Sequence, residues 1–160
     1  MENATYYNTP KFSFSKKESK CKILDIYDGD TINLGLFIEG FNVVKLNARL
    51  NGIDTPELKG EQKNLGIIAR NYLINILTNI SMDNNKEYTR KEIRELIYNS
   101  NNNFIDVKFG DFDKYGRPLV IIYKDGVNIN NAMIVGGYAK KYNGGKKEDW
   151  EDKDNIIVNI

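Results

Sequence analysis

The chain has 160 residues, 41% of them hydrophobic and 28% charged, with a formal net charge of +1. These proportions fit one globular domain with a real core and argue against wholesale disorder. It has no histidine and a single cysteine, Cys21, which excludes Ser-His-Asp triads, histidine-based nucleases, zinc held by histidine or several cysteines, and any internal disulfide. An enzyme of this composition must take its general base from a carboxylate, tyrosine or lysine. Its metal site must be oxygen-rich, which points to calcium, magnesium or manganese.

Residues 1–20 mix polar, aromatic and charged types without the apolar stretch of a signal peptide, which favours an intracellular location over export. No apolar run approaches the ~20 residues of a membrane span. Charge is distributed unevenly. Lys11, Lys16, Lys17, Lys20 and Lys22 face Glu18 alone, and Lys140, Lys141, Lys146 and Lys147 lie in a stretch without an acid. Either segment could serve a polyanion or be a solvated surface.

The first elements read as β. Residues 23–26 and 31–34 flank an Asp28-Gly29 turn, Gly40 marks a second turn, and Val44, Leu46, Ala48 and Leu50 alternate with Lys45, Asn47, Arg49 and Asn51. Cys21 begins this region as a half-buried strand residue. Leu65, Ile68, Ala69, Tyr72, Leu73, Ile76, Leu77 and Ile80 then follow helical spacing, predicting a helix over 61–80. A capping box at Thr89 with Glu92 opens a second helix, which Asn-rich residues 99–103 end. Strands return at 104–109 and 119–123, joined by the turn 113–118. Asn128 caps a short helix through Ile134, stopped by Gly136-Gly137. The class is therefore α+β, mainly β, and the count fits a five-stranded Greek-key barrel of OB-fold type capped by helices. An α+β sandwich fits the same pattern.

Three clusters carry chemistry. Asp28-Gly29-Asp30-Thr31, Asp54-Thr55-Pro56-Glu57 and Lys114-Tyr115-Gly116-Arg117 each have an ordinary structural explanation, as a turn, a helix start and a basic turn. Together they are less ordinary. The β alternation puts Arg49 on the face away from Ala48 and Leu50, just upstream of Asp54. Two aspartates and a backbone carbonyl suit a hard cation, a third carboxylate can deprotonate a water, and two arginines can neutralise a phosphate under attack.

These clusters, with Ala48-Arg49-Leu50-Asn51-Gly52-Ile53 leading into the second, resemble the thermonuclease or staphylococcal nuclease-like family over roughly residues 20–145. The late segment 125–140 is also similar to that family's turn and helix. The resemblance implies an OB-fold endonuclease that cleaves DNA and RNA with calcium and leaves 3′-phosphates. By residue, it implies Asp30, Asp54 and the Thr55 carbonyl as calcium ligands, and Asp28 in the outer shell. Glu57 would be the general base, Arg49 and Arg117 the clamps on the scissile phosphate, and Lys114 and Tyr115 contacts to a neighbouring phosphate. Tyr138 and Tyr142 are candidates for the base pocket. Against the family, residues 58–62 are short and residues 81–103, with their helix, look like an insertion. Residues 1–19 then form a partly flexible arm, and residues 146–160 a tail, charged and then apolar, for packing or for a partner. The main competing function is a non-catalytic nucleic-acid-binding module of the same fold, and a further one is a scaffold domain using that apolar tail.

Overall fold

Period-two alternation builds the wall of a barrel. In the computed structural model, which describes residues 1–150, β1 (Glu18–Ile26), β2 (Thr31–Ile38) and β3 (Asn42–Leu50) form the antiparallel meander. After two short segments, β4 (Ile53–Asp54) and a single 3-10 turn (Gly60–Gln62), the chain enters α1 (Lys63–Thr78) and then α2 (Arg90–Asn99). It returns as the hairpin β5 (Phe104–Phe112) and β6 (Pro118–Lys124). The short β7 (Val127–Asn128), α3 (Ile129–Val135) and β8 (Lys140–Lys141) follow.

Closure comes from two pairings distant in sequence. β5 lies antiparallel to β1, and β6 runs parallel to the end of β3, with Arg49 opposite Leu119 and Leu50 opposite Val120. The circuit β1-β2-β3-β6-β5 is thus a closed five-stranded mixed barrel with three helices, the OB-fold architecture. Closure leaves no long unpaired edge among these five strands. Inside lie Ile23, Ile26, Ile32, Leu34, Leu36, Leu50, Val107, Val120 and Ile122, and α1 adds Ala69, Leu73, Ile74 and Leu77 to the same core. Each fully buried Leu or Ile stabilises the fold by roughly 1.5–3 kcal/mol.

Local signals stop and start the helices. Asn79 takes a left-handed φ of 57°, and its amide closes on the Asn75 carbonyl, so α1 ends at Thr78 and Ile80 falls outside it. Thr89 and Glu92 form the reciprocal capping box of α2, and the Asn128 side chain accepts from the Asn131 amide to start α3. α2 docks on β1 through buried Ile93 and Ile97 and through Asp25. A register shift between Ile23 and Asp25 breaks the alternation of β1, so that Asp25 and Ile26 are both buried.

Cys21 is fully rather than half-buried, at 1% exposure, and desolvation pushes its thiol up to about 11. In the N-terminal arm, the Phe14 ring packs at a tilt against those of Phe109 and Phe112, and the Lys16 amide donates to the Phe109 carbonyl at 3.0 Å. The apolar tail residues Ile156, Ile157, Val158 and Ile160 lie outside the described residues. Among the described residues, no helix is long and apolar enough to cross a membrane.

Gly66 ties α1 to the loop bearing Glu57. A Cβ there would stand 2.5 Å from the Glu57 carbonyl oxygen and 2.9 Å from that of Pro56. Alanine favours a helix interior by up to ~1 kcal/mol over glycine, whereas forcing a methyl into packed backbone costs about 1–3 kcal/mol. Gly66→Ala is expected to lower the urea midpoint. A raised midpoint would show that the loop yields without cost.

Candidate active site

The loops at one end of the barrel enclose an open cleft of about 1190 Å³, lined by Asp28, Asp30, Arg49, Glu57, Asp113, Lys114, Tyr115, Arg117, Tyr142 and Lys147, among others. Strand register brings the first of these together. Thr31 of β2 lies opposite Arg49 of β3, which sets Asp30 beside that arginine. Arg49 Nη1 donates to Asp30 Oδ1 at 2.5 Å, and Nη2 donates to Asp54 Oδ1 at 3.3 Å and to the Ile53 carbonyl at 3.2 Å. Its side chain is only 11% exposed. Arg49 is therefore outside the apolar core, as the alternation predicts, yet buried in a polar one. Burial works against its charge, but the carboxylates of Asp30, Asp54 and Asp28 outweigh that and hold the guanidinium more firmly protonated than usual.

The Asp28–Thr31 turn approaches Thr55 closely. The Thr55 amide donates to Asp30 Oδ2 at 3.1 Å, and a Cβ on Gly29 would stand 2.8 Å from the Thr55 side chain. Only glycine permits this approach. Asp28 is pushed up to about 7, first by burial and then by the neighbouring Asp30 carboxylate. Asp54 and Thr55 are buried behind the cleft wall and reach it through Arg49 and Asp30.

Arg117 is fixed from below by the turn that presents it. Asp113 Oδ2 accepts from Arg117 Nε at 2.7 Å, while Oδ1 accepts the amides of Tyr115 and Arg117, each at 2.9 Å. Tyr115 is 71% exposed, with Arg117 and Lys114 lying 5.4 and 5.1 Å from its ring centre. Tyr142 lines the cleft, its ring centre 5.7 Å from the Arg49 guanidinium carbon. Tyr138 does not. It is buried and stacks on Tyr72 of α1 with ring centres 3.7 Å apart, so its expected place in a base pocket is corrected to a core contact.

Lys147 enters the site without having been singled out by sequence. Its ammonium lies 2.8 Å from Asp54 Oδ1 and 3.1 Å from Glu57 Oε1. Desolvation works against its charge, and bonds to Asp54 and Glu57 more than compensate, raising its pKa. The only sequence signal was the acid-free basic run that contains it. Asp113 opens the turn 113–118, four residues before Arg117, a spacing that suits a local pair.

Among the described residues, no three acidic or cysteine side chains converge into a ready metal cage. The donors present are all oxygen: the Asp30 and Asp54 carboxylates and the Thr55 main chain. Lys147 shows that Asp54 accepts a cation from the solvent side. That set fits a hard cation that keeps several waters.

Asp113 generates a test of the arginine's support. Burial alone would raise its pKa, but hydrogen bonds from the Arg117 backbone and side chain and from the Tyr115 amide prevail and hold it below the usual range. With a depressed folded value, its stabilisation is present above the unfolded carboxylate pKa and lost as pH falls through the folded value. Asp113→Ala is expected to speed amide exchange at Tyr115 and Arg117 about fivefold or more at neutral pH, for a loss of ~1 kcal/mol locally. Unchanged exchange would show that the turn holds itself.

The family model described as staphylococcal nuclease homologue matches residues 47–158. The match begins inside β3 and takes in Arg49, Asp54, Glu57, Arg117 and Lys147. β1 and β2, with Asp30, precede the matched span and complete the same barrel and the same cleft. With this barrel and a match over most of its length, the chain belongs to the staphylococcal nuclease homologue family.

Proposed function

We propose that the chain is a calcium-dependent endonuclease hydrolysing phosphodiester bonds of DNA or RNA to 3′-phosphate products. The observation that carries this reading is the grouping in one cleft of Glu57, Asp30 and two arginines with fixed guanidiniums, with Asp54 held against Arg49 behind its wall. Family membership supports a nucleic acid as the substrate.

In this reading the scissile phosphate lies between Arg49 and Arg117, whose guanidiniums neutralise its oxygens as negative charge builds. Asp113 and the aspartates around Arg49 hold those groups in position beforehand, so little reorganisation is needed on the way to the transition state. The Glu57 carboxylate takes the proton of the attacking water. The water oxygen bonds to phosphorus and the bond to the 5′ oxygen breaks. Lys114 and Tyr115 hold the adjoining phosphate. Asp30, Asp54 and the Thr55 carbonyl would hold calcium, whose chemistry is to polarise the phosphoryl oxygen and offset its charge.

Cleavage of single- and double-stranded DNA and RNA, with calcium, magnesium or manganese and after chelation, tests the proposal. Calcium is expected to support cleavage and chelation to abolish it. Glu57→Gln is expected to lower turnover by about 10²–10⁴, the usual worth of a general base, while calcium affinity measured by calorimetry stays nearly constant. Full turnover in Glu57→Gln would remove Glu57 as the base, and a protein that binds oligonucleotides but cuts none with any of the three metals would be a binding module.

Lys147 adds a second expectation. Its ammonium neutralises the two carboxylates that a divalent cation and a water need. For a partly exposed pair, removing the competing charge is worth up to ~1 kcal/mol. Lys147→Met is therefore expected to tighten calcium binding by up to about fivefold. Weaker binding would mean that the lysine supports the site.

A further inference from the structure

Tyr27 and Arg90 line the same cleft and have no part in the chemistry proposed above. Tyr27 follows β1, and its amide donates to the Thr31 carbonyl at 2.9 Å, which fixes it beside the Asp28–Thr31 turn. The residue is 47% exposed. Arg90 is the first residue of α2, and its guanidinium carbon lies 4.6 Å from the centre of the Tyr27 ring. One face of the tyrosine is thus backed by a cation.

That cation is held firmly and is incompletely neutralised. Asp25, buried under α2, pairs through Oδ2 with Arg90 Nη2, and the same oxygen accepts from Arg94 Nε at 2.8 Å. Within this trio one carboxylate faces two guanidiniums, so Asp25 cannot neutralise both. Arg94 is 58% exposed and Arg90 32%. An aromatic ring stiffened by an arginine, half open, with spare positive charge beside it, is the combination that takes a nucleobase on its face and a phosphate at its edge. Apolar burial does not explain the tyrosine's position, since nearly half its surface stays in water.

We propose that Tyr27 and Arg90, with Arg94 behind them, form an additional nucleotide subsite that binds one base and phosphate of a single strand beyond the scissile bond. The subsite gives α2 a function: the helix carries the cation that backs the ring. It rests on the reading of the cleft as a nucleic-acid site. Recognition is by stacking and charge, so it is tolerant of sequence and sensitive to the length of the strand.

The test is equilibrium binding in chelator, where no cleavage is needed, using fluorescence anisotropy with a labelled single-stranded DNA of about ten nucleotides, within the span one OB-fold covers, and competition by an unlabelled dinucleotide. Tyr27→Ala is expected to weaken the longer strand about tenfold, as loss of one base–aromatic stack does, and to leave the dinucleotide unchanged. Tyr27→Phe is expected to restore wild-type binding, because stacking needs the ring and not the hydroxyl. Equal affinity of Tyr27→Ala and wild type for the longer strand, in a protein that cuts it when calcium is added, would overturn the subsite alone. A parallel loss for the dinucleotide would likewise overturn it, by assigning Tyr27 to the primary site. A wild-type protein that neither binds nor cuts any strand would overturn the nuclease reading and the subsite together.

Discussion

A guanidinium buried among carboxylates at the seam of the barrel is the interaction on which the rest of this structure depends. The Arg49 main chain joins three strands, paired to Thr31 of β2 on one side and Leu119 of β6 on the other. Its side chain gathers Asp30 and Asp54, both nearly solvent-free. Removing Arg49 would leave the nearly dry Asp30 carboxylate without its ion-pair partner, while Asp54 keeps Lys147; losing one partner of a buried ion pair costs about 3–5 kcal/mol. Arg49 is therefore a structural residue as well as a candidate catalytic one, and a loss of activity on its replacement cannot be assigned to chemistry without a measure of folding. Arg117, on its own turn with its own carboxylate, separates the two roles more cleanly.

Position in this protein follows from close backbone approach as much as from side-chain packing. Gly29 lets the aspartate turn reach Thr55, and Gly66 lets α1 press against the Pro56 and Glu57 carbonyls. The carboxylate proposed as base is thus mounted on a loop clamped by the first turn of the longest helix, which two to three turns further along the same side is locked into the core by Leu73, Ile74 and Leu77. Apolar burial far from the cleft sets the reach of a charged group within it.

Much of this was legible in the sequence because it is local. Alternation in β3, the Thr89 capping box, the Asn128 cap and the three acidic or basic turns each declare themselves within a few residues. Contacts between distant segments did not. Nothing near Tyr138 distinguishes a core tyrosine stacked on Tyr72 from one lining a base pocket. Nothing near Asp25 announces two arginines more than sixty residues away. Lys147 looks like its neighbour Lys146 until the fold brings Asp54 and Glu57 to it. The Cys21 strand was found, but its full burial depends on β5 and the core behind it.

The parallel pairing of β3 with β6 has a kinetic consequence. Asp30, Arg49, Glu57, Arg117 and Lys147 come from five separate stretches of chain, and they share one cleft only after residues near 50 have met residues near 120. Pairings of such long sequence separation must overcome the entropy of closing the loop between them, which slows their formation. A partly folded chain can hold α1, α2 and the first meander and still have no site. The cleft is in this sense a reporter of barrel closure: its geometry requires the long-range pairings of β1 with β5 and of β3 with β6 together.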